Sequence, residues 1–490
     1  MTRVLLPVMV ISPETVADWE VQRNELNRLL SRPPGTVHLI GVGGMGMAGV
    51  ALHLHQRGFK VSGSEIVSSR ITNWLAEHCI QVCFGHGIAN VSPSTQWMIK
   101  TPAVSDNNLE VEFARTQGIP VYTRGVVLSA LLSDSVSVAV SGTHGKTTTA
   151  GMIAHILRSA NRRASHCIGG ELDELGGVAA CGVGPEFVVE ADESDGTLVL
   201  YRPTIAVLTN VEYDHMEHFP DPAAFVGCFR TFVRQSGQVV YCADDEVARE
   251  VGSNVERALS YGSRSGSHVR ISDIHTHGGR CRFRLFGPGG EWGRVELSVP
   301  GAHNALNAAG AAAASWRLGI DVEHILRGLE TFQSARRRFE WVVDNRSAKV
   351  VSDYAHHPTE VCAVLKTASS LGSSRVIAVF QPHRYTRTLA LMSKFANSFE
   401  GVDELILTPV YAASEMYLEG GTSEDLYQSI QCQSNVAVRL ADSLKTAWKW
   451  IREGHRTGDL ILILGAGDVD EIAGWAEQAW GSDKSSSDPT

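Results

Sequence analysis

The stretch "SVSVAVSGTHGKTTTAGMIAHILRSA", residues 135–160, decides how the rest of the chain is read. A valine-rich apolar run passes through a glycine-bounded loop into a segment of helical length and composition. Gly142 and Gly145 let the backbone N–H groups of the loop, through Thr143 and His144, turn inward around phosphate oxygens at the positive end of the following helix. Lys146 is placed to reach β- and γ-phosphates, and the Thr147 hydroxyl, next to Thr148, to ligate Mg²⁺. Val140 stands where the general G-x-x-x-x-G-K-[ST] loop has its first glycine. Strand, phosphate loop and helix in this order predict an α/β protein.

A second glycine run precedes it. In "HLIGVGGMGMAG", residues 38–49, Gly41, Gly43 and Gly46 spell G-x-G-x-x-G around Gly44 and Met45, and Glu65 closes the next apolar run, "FKVSGSE". Alone, this is a dinucleotide fingerprint, with a tight turn, close backbone approach to a pyrophosphate and a carboxylate for a ribose. The two motifs pose a choice between hydride transfer and phosphate transfer.

Composition narrows the field. A chain of 490 residues exceeds one core, and 43% hydrophobic with 20% charged residues is ordinary for a soluble globular protein. A net charge of −10 argues against a nucleic-acid surface. The nine cysteines include no C-x-x-C pair, which speaks against a disulfide framework or zinc site and for a reducing compartment. "VLLPVMVI", residues 4–11, is too short and proline-broken for a signal peptide, and no run approaches the about 18 apolar residues of a membrane span. A cytoplasmic protein is expected. Apolar runs such as "EFVVEAD", "TIAVLTN", "RVIAVFQP" and "DLILILGAGD" suit parallel strands covered on both faces. Domain boundaries are expected near 134 and 334, giving domains 36–133, 134–333 and 334–480, with residues 1–35 a variable lead-in and 481–490 a disordered tail.

Further motifs follow the phosphate loop. "VVEADESDG" crowds Glu190, Asp192, Glu193 and Asp195 at a strand's carboxyl end, where Mg²⁺ could complete its shell with carboxylate oxygen. "TNVEYDHMEHF" places Asn210, Glu212, Asp214 and His215 after another strand. "GAHNALNAAGAAAA" reads as the start of an alanine-rich helix capped by His303 or Asn304, with Asn304 and Asn307 on one face. "SDYAHHPTE" and "FQPHRYTRT" set histidines and arginines beside prolines, and Arg384 and Arg387 suit a carboxylate or phosphate.

Taken in order, "GTHGKTTT", "EADESD", "NVEYDH", "HNALNAAGA", "RRRFE", "DYAHHP" and "FQPHRYTRT" resemble the Mur ligases over about residues 36–475. The resemblance implies three domains: a Rossmann-like one for a UDP-sugar, a central P-loop ATPase, and a C-terminal Rossmann-like α/β domain. It implies that phosphate moves and hydride does not, with ATP activating the lactyl carboxylate of UDP-N-acetylmuramate as an acyl phosphate for attack by L-alanine. By the same resemblance Lys146 steadies the phosphates within an ATP site of Gly142, Thr143, His144, Gly145, Thr147 and Thr148. Thr147 and Glu190 hold one Mg²⁺ and His215 helps hold a second. Asn304 and Asn307 face the adenine, and Arg338, Asp353 and a catalytic His357 close over the nucleotide. Tyr354, His356, His383, Arg384 and Arg387 receive the amino acid, while Gly41, Gly43, Gly44, Met45, Gly46, Glu65 and Arg124 bind the UDP-sugar. "RGVVLSALL" lacks the acid expected soon after Arg124, and "KTPAV" replaces a serine-rich segment. Rivals are a tripeptide-adding recycling ligase, folylpolyglutamate synthase, an NAD-dependent dehydrogenase supported by the first motif alone, and a non-catalytic UDP-sugar sensor.

Overall fold

The computed structural model describes residues 12–215, 218–219 and 221–481, so "VLLPVMVI" and the tail from 482 lie outside the described residues. The chain divides into two compact units. One comprises the chain to Asp273 with Phe283–Glu296 and Ala305–Gln333; the other comprises Ile274–Arg282, Leu297–Asn304 and the chain from Ser334.

The lead-in is not irregular where it is described. Pro13–Leu30 is a helix, with the Ser12 hydroxyl accepting the Thr15 N–H at 3.2 Å and proline in the first turn. Leu26 is fully buried in the first unit's core. Capping chemistry and the apolar contacts of Leu26, Trp19, Leu29 and Leu30 with the core outweigh a largely polar sequence here.

The first unit holds two sheets. The smaller has five parallel strands in the order Gln81–Phe84, Lys60–Glu65, Thr36–Ile40, Thr95–Lys100, Val121–Thr123. The glycine run joins the central strand to the helix Met45–Gln56, at the point where strand order reverses. Val37 and Leu39 enter the main core on one face, whereas Ile40 packs with Met98 and Val111 on the other.

His38, on that second face, meets an acid the sequence did not mark. Glu110, near the start of the helix Leu109–Gln117, is fully buried. Its carboxylate accepts the Ser64 hydroxyl at 2.6 Å, the Gly87 N–H at 2.9 Å and the Asn90 amide at 2.8 Å, with His38 Nε2 at 3.3 Å. Burial opposes the charge, but these bonds outweigh it and hold the carboxyl down at about 2. A carboxyl depressed in the folded state stabilises above its unfolded value, near 4.5, and that contribution disappears as pH falls toward about 2. Glu110→Gln is expected to cost about 2–4 kcal/mol at pH 7, since an amide cannot accept all these donors. Urea unfolding of the two proteins should converge between pH 4.5 and 2; a pH-independent difference would count against this account.

In the first unit, seven strands of the larger sheet run in the order Leu259–Gly262, Gln238–Cys242, Ile205–Leu208, Val136–Ser141, Glu186–Glu190, Ser165–Leu172, Gly177–Ala180, all parallel but the last. Val138, Ala139 and Val140 of the strand before the phosphate loop are completely buried, which explains its unbroken apolar composition. The position expected for the first boundary falls between the helix Arg124–Leu131 and this strand. The sheets on either side belong to the same compact unit.

The second unit carries a six-stranded sheet in the order Glu340–Asp344, Lys349–Asp353, Asp459–Leu464, Arg375–Phe380, Glu404–Leu407, Val438–Leu440. Only the first strand is antiparallel. Asp459–Leu464 is inserted between Lys349–Asp353 and Arg375–Phe380, two strands that precede it in sequence. The alanine-rich helix begins at Ala302, so His303 and Asn304 occupy its first turn rather than its cap. Gly301 precedes it, and the Asn304 amide donates to the Pro300 carbonyl at 2.7 Å.

Candidate active site

In the first unit, Ser141 ends a central strand and Lys146 begins the helix Lys146–Ser159, so the intervening loop lies at a carboxyl edge with helix N–H groups facing it. The loop is pinned from the neighbouring strand. The Asn210 side chain accepts the His144 N–H at 2.8 Å and donates to the His144 carbonyl at 2.9 Å. The Thr209 hydroxyl donates to the same carbonyl at 2.7 Å, and the Thr143 hydroxyl bonds the Glu212 backbone. Gly142 adopts φ +133°, and a Cβ there would stand 2.2 Å from Thr209 Oγ1 and 2.7 Å from the Asn210 carbonyl. Only glycine allows that approach. Asn307 lies against the other side of the loop, its Oδ1 2.4 Å from where a Cβ on Gly145 would be.

Lys146 Nζ is held by the Gly142 carbonyl at 2.6 Å, the Thr143 carbonyl at 3.2 Å and Glu193 Oε1 at 2.8 Å. Burial opposes its charge, but Glu193, Asp192 and Glu190 outweigh burial and raise the ammonium above its ordinary value. Burial pushes the Glu193 carboxyl upward in spite of Lys146. His215 Nε2 lies 3.7 Å from the same Glu193 oxygen. The Thr147 hydroxyl donates to Glu190 Oε2 at 2.9 Å, and that oxygen also accepts the Gly169 N–H at 2.8 Å. Lys146, Thr147, Glu190 and His215 are thus gathered round one loop. The Thr147 hydroxyl and Glu190 carboxylate are adjacent hard oxygen donors of the kind Mg²⁺ takes, and the buried Glu193 Oε2 has no hydrogen-bond partner.

On the smaller sheet, the Gly43 N–H is already engaged, donating to Glu65 Oε2 at 2.9 Å, while Glu65 Oε1 accepts the Ile66 N–H at 2.7 Å. The Gly41 and Val42 N–H groups donate to the Ser64 carbonyl at 2.9 and 3.1 Å. Ser64 is the residue that Glu110 fixes. Gly44 caps the helix that Met45 opens, and Arg124 pairs with Asp192 at 2.9 Å.

The second unit gathers its own set. Asp353 ends a strand and accepts the Phe339 N–H at 2.7 Å and the Ala355 N–H at 2.8 Å. Burial raises its carboxyl to about 6, although Arg338 and the two N–H groups work in the other direction. The Arg337 and Arg338 guanidinium groups lie 5.0 and 5.2 Å from the Tyr354 ring centre. From Tyr354 a chain of rings continues to His356 at 5.3 Å, His383 at 5.5 Å and Tyr411 at 5.6 Å. Arg387, buried on the short helix Tyr385–Ala390, brings Nη1 to 3.2 Å from His383 Nδ1. Arg384 instead lies 3.9 Å from Glu415. His357 caps the helix Pro358–Ser369, its buried ring accepting the Thr359 N–H at 3.3 Å and its own backbone N–H donating to Glu360 Oε2 at 3.2 Å. Thr209, which holds the loop, and Arg337, which donates to the Gly465 and Gly467 carbonyls, were not foreseen, while Asn210, Glu193 and Asp192, marked in the sequence as candidate ligands, are found as partners of the loop, Lys146 and Arg124. The crowding of acids in "EADESD" was the available signal for two of these.

A phosphate loop with a threonine-bound carboxylate, beside a separate Rossmann-like sheet and before a second α/β unit, defines a nucleotide-dependent enzyme of modular α/β build. Three family profiles match in chain order: "Mur ligase family, catalytic domain" over residues 36–135, "Mur ligase middle domain" over 140–315, and "Mur ligase, glutamate ligase domain" over 337–467. The chain belongs to the Mur ligase family. It is 38% identical over 439 residues to the UDP-N-acetylmuramate–L-alanine ligase of Desulforamulus reducens, covering 88% of this chain and 95% of that one. It is 38% identical over 441 residues to the enzyme of the same name from Solibacter usitatus, covering 89% and 93%. The crystal structure of UDP-N-acetylmuramate-alanine ligase from Thermotoga maritima superimposes with a TM-score of 0.80 at 29% identity, over 92% of this chain and all of that one. A murein peptide ligase from Psychrobacter arcticus, at 24% identity and TM-score 0.70, shares the fold. No helix among the described residues is long and apolar enough to cross a membrane.

Proposed function

We propose that this chain is an ATP-dependent, Mg²⁺-requiring cytoplasmic ligase that joins L-alanine to the lactyl carboxylate of UDP-N-acetylmuramate in peptidoglycan precursor synthesis. The observation that carries the reading is the Lys146–Thr147–Glu190 arrangement, in a chain 38% identical to ligases of that name. A carboxylate is a poor acceptor for an amine, so it must first be activated. The lactyl oxygen attacks the γ-phosphorus of ATP, the bond to the β-phosphate oxygen breaks, and an acyl phosphate and ADP result. The alanine amine then attacks the acyl carbon, inorganic phosphate leaves, and the amine loses a proton.

The chain's own residues account for most of this as positioning and charge neutralisation. Lys146 exchanges its present carbonyl and Glu193 contacts for phosphate oxygens. Thr147 and Glu190 would hold one Mg²⁺ and His215 would help hold a second, and the metal would neutralise phosphate charge when bound. Asn307, which lies against the loop, faces the nucleotide in this reading. On the smaller sheet, Glu65 and the glycine run receive the diphosphate and ribose, while the exposed Ile66, Val67, Phe84 and Ile88 offer apolar surface to a pyrimidine. In the second unit, Arg387 supplies a cationic donor and His383 a ring nitrogen for the amino-acid carboxylate.

The test is phosphate release from ATP with UDP-N-acetylmuramate and single amino acids, with and without a chelator. Release is expected only with all three substrates and Mg²⁺, and fastest with L-alanine. Release that ignores the sugar nucleotide would overturn the reading.

A further inference from the structure

Arg124 opens the helix Arg124–Leu131 and stands where two loops of the first unit converge. On one side its guanidinium fills the space a side chain at Gly46 would need, since a Cβ there falls 2.9 Å from Nη1. Gly46 ends the G-x-G-x-x-G run, so the cation lies against the helix start that a bound diphosphate would face. On the other side Nη2 donates to Asp192 Oδ2 at 2.9 Å. Asp192 belongs to the loop that carries Glu190, bonded to Thr147, and Glu193, bonded to Lys146.

Two further contacts make this junction stiff. Asp192 Oδ1 accepts the Ser194 N–H at 3.0 Å, so the carboxylate's orientation is tied to the turn of its own loop. The loop's far end presses on the same helix: a Cβ on Gly125 would fall 1.9 Å from Thr197 Oγ1, and Asp195 accepts that hydroxyl at 2.6 Å. The first turn of the helix contains no acid of its own, so the counter-charge for Arg124 comes from the nucleotide-side loop. Burial opposes both charges, yet mutual attraction outweighs it, raising Arg124 and holding Asp192 well below the usual carboxylate range.

We propose that the Arg124–Asp192 pair couples occupancy of the sugar-nucleotide loop to the affinity of the ATP site. This rests on the ligase reading above. A diphosphate seated over Gly46 shares the guanidinium with Asp192 and leaves that carboxylate less neutralised. The acidic loop beside Glu190 becomes more negative and holds Mg²⁺ with its nucleotide more tightly. By linkage, bound Mg·ATP tightens the sugar nucleotide by the same factor. Both side chains are positioning residues, since neither is placed at the reacting atoms.

The experiment is calorimetric binding of the Mg²⁺ complex of the β,γ-imido analogue of ATP, with and without saturating UDP-N-acetylmuramate. In the wild-type protein the sugar nucleotide is expected to tighten the analogue about 5- to 30-fold, within the usual range of coupling between sites. The double variant Arg124→Met/Asp192→Asn removes both buried charges and leaves neither unpaired. Whatever its affinity for each ligand alone, its ratio is expected within about twofold of one. Arg124→Lys keeps the charge without the fork and is expected to lower the ratio at least about twofold. A wild-type ratio in the double variant, or a ratio of one in the wild type with both ligands bound, overturns the coupling alone. A wild-type protein that does not bind the sugar nucleotide overturns the ligase reading and the coupling with it.

Discussion

Lys146→Ala is expected to lower ligation at least about a thousandfold, because the lost ammonium is the cation poised over the loop that receives the transferred phosphoryl group. A single preorganised donor is worth about 3–4 kcal/mol of transition-state stabilisation, and here the donor carries a full charge. Nζ now rests on two loop carbonyls and Glu193, positions from which it can turn to phosphate without refolding the loop. The variant also strands the fully buried Glu193, which costs stability by a separate route. Lys146→Ala/Glu193→Gln separates the two effects: the double variant should regain most of the melting temperature and none of the turnover. Phosphate release and thermal unfolding, measured on both variants, decide the matter. A folded Lys146→Ala protein working within tenfold of wild type would exclude this loop as the active one.

Much of this machinery could be read from local sequence because its physics is local. The phosphate loop, the buried strands flanking it and the second unit's strands Arg375–Phe380 and Asp459–Leu464 show continuous apolar runs or glycine punctuation within a few residues. What escaped reading depends on distance. Glu110 meets Ser64 across 46 residues and His38 across 72, and no short motif joins them. Asp192 and Arg124 are 68 residues apart, so the missing acid after Arg124 looked like a gap rather than a pairing satisfied from elsewhere. Pro13–Leu30 is mostly polar, and its order comes from the cap at Ser12 and the packing of Leu26, Trp19, Leu29 and Leu30 on the core. In "GAHNALN", a helix beginning one residue after Gly301 turned two expected caps into first-turn residues.

Arg387→Ala should raise the KM for L-alanine by about a hundredfold or more, while the KM values for ATP and the sugar nucleotide change little. An amino acid carries its carboxylate beside its attacking amine, so its site needs a fixed cation close to the acyl group. Two arginines of "HRYTR" were candidates, and the structure separates them. Arg384 lies 3.9 Å from Glu415, and Arg387 is buried with Nη1 3.2 Å from Nδ1 of His383, whose ring stacks on Tyr411. Loss of one partner of a sheltered charge pair typically costs about 2–5 kcal/mol, mostly through the charge left behind. Arg387→Lys should fall between the two, since a point charge remains but the planar fork is lost. Steady-state kinetics with each substrate varied in turn, and a melting curve for each variant, distinguish lost recognition from lost folding. On the proposed reading the same cation would set acceptor size: a short amino acid would place its carboxylate at the guanidinium, whereas a tripeptide would place an amide there. The wild-type protein should therefore prefer L-alanine to L-Ala-γ-D-Glu-meso-diaminopimelate, and Arg387→Ala should narrow that preference. Faster joining of the tripeptide by the wild-type protein would assign the chain to peptide recycling instead.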